Sequence, residues 1–370
     1  MTTGVTWGRI MNAGVLFGDA RRAFTRITGP LSVCRADTLA IDLGTSTTVI
    51  YASGRGIVLN EPSIVAFRKG EERPILLSAG REAARMLGKT PANIELVRPV
   101  RQGVVIDIEL AEQMLKYFIR RAFGVLSMIR PPRAIISVPS GATEVERRAI
   151  RDAALNCGTR QVYLVLDTIA AAIGSGMMIH RPEGAMIVDI GGGATKVGVL
   201  SLGGVVLSQS LRVGGDSICE SIGTYLRREH ALLVGEGSLE RLVCDHGLLF
   251  ATPQSDREIV RVSGRQLGSG VPVALELPRS MLVAPIVDIV DQIIAGVRAV
   301  LEKVPPEIAA DLCNSGIVLS GGSAQLEGLD RYIGQSISLP VSVTSAPQTC
   351  VAEGAAKAFL DDNSYAIMSA

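Results

Sequence analysis

The chain has 370 residues, 47% of them hydrophobic and only 4% aromatic, with 40 glycines, and its 37 Lys and Arg nearly balance its 36 Asp and Glu, giving a net charge of +1. That length accommodates two domains with cores of their own, and the balanced charge, without any RNA- or DNA-reading motif, argues against a nucleic-acid partner. Six scattered cysteines with no Cys-x-x-Cys pair, beside three histidines, argue against a disulfide framework or zinc site and favour a reducing cytoplasm, while no apolar run approaches the ~20 residues of a bilayer span.

Residues 1–36 precede the first clear element. Trp7, Ile10, Met11, Leu16, Phe17, Phe24 and Ile27 recur at helical spacing with Arg9, Arg21, Arg22 and Arg26 among them. This fits either a basic amphipathic helix on an anionic membrane or a frayed leader, because four glycines weaken the helix. Thr38 to Tyr51 then reads as strand, turn, strand: an apolar run reaches Asp42, passes Gly44, Thr45, Ser46 and Thr47, and resumes as a β-branched run. Residues 55–98 are expected to form a small inserted subdomain with a helix near Glu82 to Leu87, and Arg98 to Asp107 to return to the main sheet. Met114 to Phe123 reads as an amphipathic helix, followed by an apolar loop, Phe123 to Ile129, flanked by Arg120, Arg121, Arg130 and Arg133. Ala134 to Val138 and Gln161 to Leu166 read as strands around a charged helix, Thr143 to Asn156, and Asp167-Thr168 opens the helix linking the halves.

Ala185 to Leu200 repeats the first pattern. An apolar strand ends in Asp189, three glycines follow at Gly191, Gly192 and Gly193, and Ala194 leads into a second strand. Helices are expected from Gly214-Gly215-Asp216 and over Ile286 to Val304, with a second inserted subdomain over about 216–280. A third strand meets a glycine pair at Gly321-Gly322, before Ser323 and Ala324, and a last helix runs from Cys350 to Leu360.

Glycine lets backbone N–H groups approach phosphate oxygens with no Cβ in the way, and an aspartate leaving a buried strand can hold a magnesium ion directly or through water. One glycine turn between strands is also an ordinary turn; two such cradles imply two similar halves facing one nucleotide. Thr45, Ser46 and Thr47 offer hydroxyls to phosphate, Asp42 and Asp189 can approach one metal from opposite sides, and the Gly321-Gly322 backbone can lie against a purine or its ribose. The expected fold is a duplicated α/β architecture with the ligand in the cleft between its halves.

These motifs resemble the actin-like ATPases and, within them, the MreB family of bacterial rod-shape proteins. The resemblance extends through Gly56 to Ser63, Met86 to Pro91, Arg98-Pro99-Val100, Val145 to Ala149, Arg212 to Asp216 and Leu339-Pro340-Val341, covering roughly residues 38–358. It implies a duplicated actin-like, ribonuclease H-like fold of two lobes around a nucleotide cleft. Lobe I would comprise 37–180 with 345–370, and lobe II 181–344. It implies ATP and Mg2+ as cofactors, filaments formed by self-assembly on the inner face of the cytoplasmic membrane, contact through the 123–129 loop, partners in cell-wall elongation, and a role in cell shape. Asp107 resembles the family's aspartate near the metal-bound water, although a helix cap explains it equally well.

Several positions depart from the family pattern. Asp167 stands where the family has the glutamate that positions the attacking water; one methylene shorter, it would misplace that water, at a cost of up to ~10²-fold in rate. Ala194 and Lys196 replace a threonine and a glutamate of Gly-Gly-Gly-Thr-Thr-Glu. Lys196 either neutralises phosphate or points to solvent. The ribose-binding Glu-x-x-Lys is Glu240-Arg241-Leu242-Val243, and the third glycine of the purine loop is Ser323. The expectation is an ATP-binding paralogue with slow turnover. Three other classes stay open: a non-hydrolysing partner that co-assembles with a competent MreB, a small-molecule kinase, for which no catalytic base is evident, and a chaperone-type ATPase, which would need a peptide-binding domain after the last helix.

Overall fold

The computed structural model describes residues 38–69, 75–123, 131–360 and 367–368. The expected amphipathic leader and the apolar loop 124–129 lie outside these described residues.

The chain opens with a meander of β1 (Thr38–Leu43), β2 (Thr47–Ala52) and β3 (Gly56–Pro62). β1 is buried from Thr38 to Ile41 because it is a central strand, flanked by β2 on one side and by β9 (Arg133–Val138) on the other, with β10 (Gln161–Leu166) beyond. The second half repeats this plan with β11 (Ala185–Ile190), β12 (Thr195–Ser201) and β13 (Gly204–Leu211), then β17 (Ile317–Ser320) and β18 (Val341–Val343). Read from the meander outward, the orders are β3-β2-β1-β9-β10 and β13-β12-β11-β17-β18, antiparallel within each meander and parallel beyond it. A short β19 (Ile367–Met368) adds to the outer edge of the first sheet. The duplication inferred from the two glycine turns is thus a duplication of sheet topology.

Each half carries an insertion. In the first, β4 (Val65–Arg68) pairs with β5 (Ile75–Ala79) and β6 (Ile94–Val97), with one helical turn, α1 (Arg81–Ala84), shorter than the helix expected there. Since β3 pairs with β2, Gly56–Pro62 stays in the large sheet, and the small sheet is shorter than the stretch 55–98. The expectation that Arg98 to Asp107 rejoins the main sheet is corrected. Val100–Arg101 (β7) pairs only with Val104–Val105 (β8), because Gln102 (φ 49°) and Gly103 (φ 78°) close a two-residue turn with both central residues left-handed. Asp107 then caps α2 (Ile108–Phe123), its Oδ1 accepting from the Leu110 N–H at 2.9 Å, which is the helix-cap alternative. The next helix, α3 (Glu144–Asn156), starts with a capping box between Thr143 and Glu146.

Between the large sheets lie two small-residue helices, α4 (Asp167–Gly174), which begins directly after β10, and α11 (Cys350–Leu360). Ala170, Ala171, Ala172, Ala355 and Ala358 share a core with Ala40 and Ile135 of the first sheet and Ile187 and Leu200 of the second. A Cβ at Gly354 would collide with the Ala170 carbonyl oxygen, and one at Gly174 with that of Cys350, so the helices meet backbone to backbone. This contact joins the halves at the base of the cleft between them.

The second half adds α5 (Gly215–His230), α6 (Glu236–His246) and a three-stranded sheet of Leu232–Leu233 (β14), Ile259–Gln266 (β15) and Pro272–Pro278 (β16). A five-residue helix, α7 (Pro253–Arg257), leads into that sheet, and α8 (Val283–Leu301) follows it. With the preceding turn, α8 forms a 23-residue segment whose length and hydropathy reach those of a membrane span, unlike the expectation from apolar runs alone. Its Ile286, Val290, Ile293, Ile294, Val297 and Val300 are buried in the second lobe's core, the ordinary position of a core helix.

Candidate functional site

The strand ends of the two meanders meet across a cleft of about 550 Å³. Asp42 is the penultimate residue of β1 and Asp189 that of β11; both line the cleft with Gly44 to Thr47 and Gly191 to Ala194. Each turn is closed alike, Gly44 N–H donating to the Thr47 carbonyl at 3.1 Å and Gly191 N–H to that of Ala194 at 3.0 Å. The cradles interlock. A Cβ at Gly192 would collide with Ser46 Oγ, and one at Gly193 would lie 2.6 Å from Thr45 Cγ2. These glycines therefore answer to close approach across the cleft.

Two hydroxyls of the first cradle, those of Thr45 and Ser46, have protein partners. Thr45 Oγ1 accepts from the Gly103 N–H at 3.0 Å, and Ser46 Oγ donates to Asp216 Oδ1 at 3.2 Å, bridging the lobes. In the sequence Asp216 reads as a helix start within the Arg212 to Asp216 family stretch, not as a site residue. Its N–H and that of Gly215 donate to the Gly192 and Gly191 carbonyls at 2.8 and 3.1 Å, so the start of α5 fixes the second cradle. At the mouth, Arg98 Nε and Nη2 both donate to Glu236 Oε1, at 3.1 and 2.9 Å, a second link between the lobes.

The nucleoside end is partly as expected. Glu240 and Val243 line the cleft, being three apart on one face of α6, with Cys244 beside them. Arg241 turns back to the Gly237 carbonyl and Ser238 Oγ, and Leu242 is buried in the core; neither reaches the cleft. Gly321 and Gly322 line it, with Gly321 at φ 87° where a Cβ would collide with the Ile190 carbonyl. Ser323 uses the hydroxyl that its family glycine lacks, donating to the Gly191 carbonyl at 3.1 Å. Ala324 is buried behind the wall.

The floor is acidic and buried. Ser137 Oγ donates to Asp42 Oδ1 at 2.7 Å. Lys196 faces Asp189 as its cross-strand partner, and it does not point to solvent. Its Nζ stands 3.0 Å from Asp167 Oδ2 and 3.8 Å from Asp189 Oδ2. Asp167, 1% exposed, also accepts from the Thr168 N–H at 2.7 Å and from Ser140 Oγ at 3.5 Å through Oδ1. Burial pushes the Asp189 carboxyl up to about 6 against the pull of Lys196, and burial likewise raises Asp42. Burial disfavours the charged form of Lys196, but Asp167, Asp189 and Asp42 outweigh it and hold the ammonium charged.

Magnesium needs about six oxygen ligands near ~2.1 Å. At a nucleotide it keeps several waters and takes one or two protein carboxylates beside phosphate oxygens, but here the ammonium of Lys196 already stands between Asp167 and Asp189, and Asp42 accepts from Ser137. The donor set here does not fit a divalent ion. What it offers is backbone amides, hydroxyls and a fixed ammonium, a set suited to phosphate oxygens.

The family model for MreB/Mbl protein matches residues 36–366. The cell shape-determining protein MreB of Escherichia coli K12 is 43% identical over 323 residues, 86% of this chain and 92% of that one. The cell shape-determining protein Mbl of Bacillus subtilis is 40% identical over 316 residues, 85% and 93% of the two chains. Among solved structures, MreB5 of Spiroplasma citri bound to AMPPNP superposes with a TM-score of 0.81 at 31% identity, covering 88% of this chain and 97% of that one. Duplicated meanders, facing glycine turns and these similarities together place the chain in the MreB/Mbl family of actin-like proteins.

Proposed function

We propose that the chain is a cytoplasmic cytoskeletal protein that binds ATP in the cleft, assembles into filaments on the inner face of the cytoplasmic membrane and helps determine cell shape with cell-wall elongation proteins. The observation that carries this is the pair of glycine turns, Gly44 to Thr47 and Gly191 to Ala194, facing each other at equivalent strand ends across one cleft. Nucleotide between them favours the closed arrangement, and a closed protomer pairs better end to end; head-to-tail contacts that do not close give open filaments. Membrane contact would come from the leader and the 123–129 loop. Of the arginines beside that loop, Arg120 is exposed, whereas Arg121 also meets Glu61 at 3.5 Å and Arg133 lies over the Phe359 ring. Light scattering and pelleting with ATP, with and without anionic vesicles, test this: nucleotide-dependent polymer is expected, and its absence in both conditions refutes the proposal.

Asp167 would be the water-positioning residue. Its Oδ2 is held by Lys196 and its Oδ1 by Thr168, which supports slow hydrolysis and, as a second reading, a partner that co-assembles with a hydrolysis-competent MreB. Phosphate release from the chain alone would then be near background, and filaments mixed with a competent homologue would contain both chains.

A further inference from the structure

Lys196 does more at this site than restrain Asp167. Its place is set by the hairpin: directly opposed residues of an antiparallel pair share one face of the sheet, so Lys196 emerges beside Asp189 at the strand ends. Asp167, arriving from the link between β10 and α4, fixes the ammonium at 3.0 Å. The side chain is only 19% exposed, and it lines the same cleft as the glycine turns. An ammonium carries three N–H donors. Asp167 at 3.0 Å and Asp189 at 3.8 Å are ion-pair contacts on one side of it, which leaves a donor for an anion lying between the cradles. A divalent ion at the same point would compete for the same carboxylates and face a like charge within contact distance.

We propose that Lys196 is a built-in cation that replaces the divalent metal in holding the terminal phosphates of the nucleotide, so that this chain binds nucleoside di- and triphosphates without magnesium. The inference rests on the cleft being a nucleotide site. Lysine is a compact point charge suited to phosphate, and here its stem is held before any ligand arrives. The chain thus trades the cation's exchangeability for permanence: chelation cannot empty the site.

The test is calorimetric titration of the full chain with ATP and with ADP, in excess EDTA and in excess magnesium. Wild type is expected to bind both nucleotides with dissociation constants that agree within about threefold between the buffers. Lys196→Glu, which restores the family's acid, is expected to weaken binding more than ~10-fold in EDTA and to recover with magnesium. Lys196→Gln keeps the test open if the glutamate variant does not fold; it should lose affinity in EDTA by a similar factor, with folding checked by circular dichroism. Wild-type affinity that collapses in EDTA and returns with magnesium overturns the proposal, as does a Lys196→Gln variant that binds in EDTA as well as wild type. Wild type that binds nucleotide in neither buffer refutes the nucleotide site itself, and this inference with it.

Discussion

Lys196→Met tests the electrostatics of the cleft floor without any ligand. The substitution keeps most of the stem and removes the charge, leaving Asp167 and Asp189, 1% and 5% exposed, with no cation against them. Breaking a buried ion pair by removing one partner costs ~3–5 kcal/mol. In a chain of 370 residues, with an unfolding entropy of ~2.1 cal/mol/K per residue, that lowers the melting temperature by about 4–6 °C. The pH dependence follows from the carboxyl groups. Asp189 has its folded-state value pushed from 3.8 up to about 6, so the folded state binds this proton more tightly than the unfolded state. Stability is therefore fully present below about pH 4 and is lost as pH rises through about 6, by ~3 kcal/mol for this group at 1.36 kcal/mol per pH unit. Lys196 opposes the rise at both Asp42 and Asp189, and its removal carries the loss to higher pH. Thermal denaturation of the ligand-free protein should show a large deficit for Lys196→Met near pH 8 that shrinks towards about pH 5. Equal melting temperatures near pH 8, or a deficit independent of pH, would show that the ammonium does not neutralise this floor.

Gly192→Ala should weaken ATP binding more than ~10-fold in calorimetry while the core stays folded, because the new methyl group collides with Ser46 Oγ and pushes the cradles apart. Gly354→Ala should instead act on folding: its Cβ meets the Ala170 carbonyl between α4 and α11, and the ~1–3 kcal/mol typical of overpacking is a lower bound where backbone is struck, readable in urea denaturation. Arg98→Ala and Glu236→Ala form a double-mutant cycle across the cleft mouth; with Glu236 57% exposed, the coupling should stay below about 1 kcal/mol and vanish at high salt. Thr143→Ala removes the N-cap of α3 and should cost ~1 kcal/mol with no change in nucleotide affinity.

The parts of the cleft that follow from a short run of chain were legible before folding. An apolar strand ending in an acid and a glycine turn occurs twice, and each copy became the end of a central strand facing the other. Two short stretches are placed differently from their reading in the sequence. Arg241 and Leu242 fall within a four-residue motif, but on a helix only Glu240 and Val243 share the face that meets the cleft. The β-branched run after Arg98 reads as a sheet strand until the left-handed pair Gln102-Gly103 is recognised as a hairpin turn. The opposition of Lys196 to Asp189 follows from counting back across the Gly191 to Ala194 turn. Its contact with Asp167 does not, since Asp167 reaches the site as the first residue of α4, far from Lys196 in the chain. Gly174 and Gly354 carry no motif at all; only the backbone contact of α4 and α11 explains them.

Calorimetric titration of ATP into the intact chain tests the central claim most directly, that two opposed glycine turns form one nucleotide site. The account predicts a single saturable site per chain, displaced by ADP and weakened by Gly192→Ala. No heat of binding, or binding unchanged by Gly192→Ala, would contradict it.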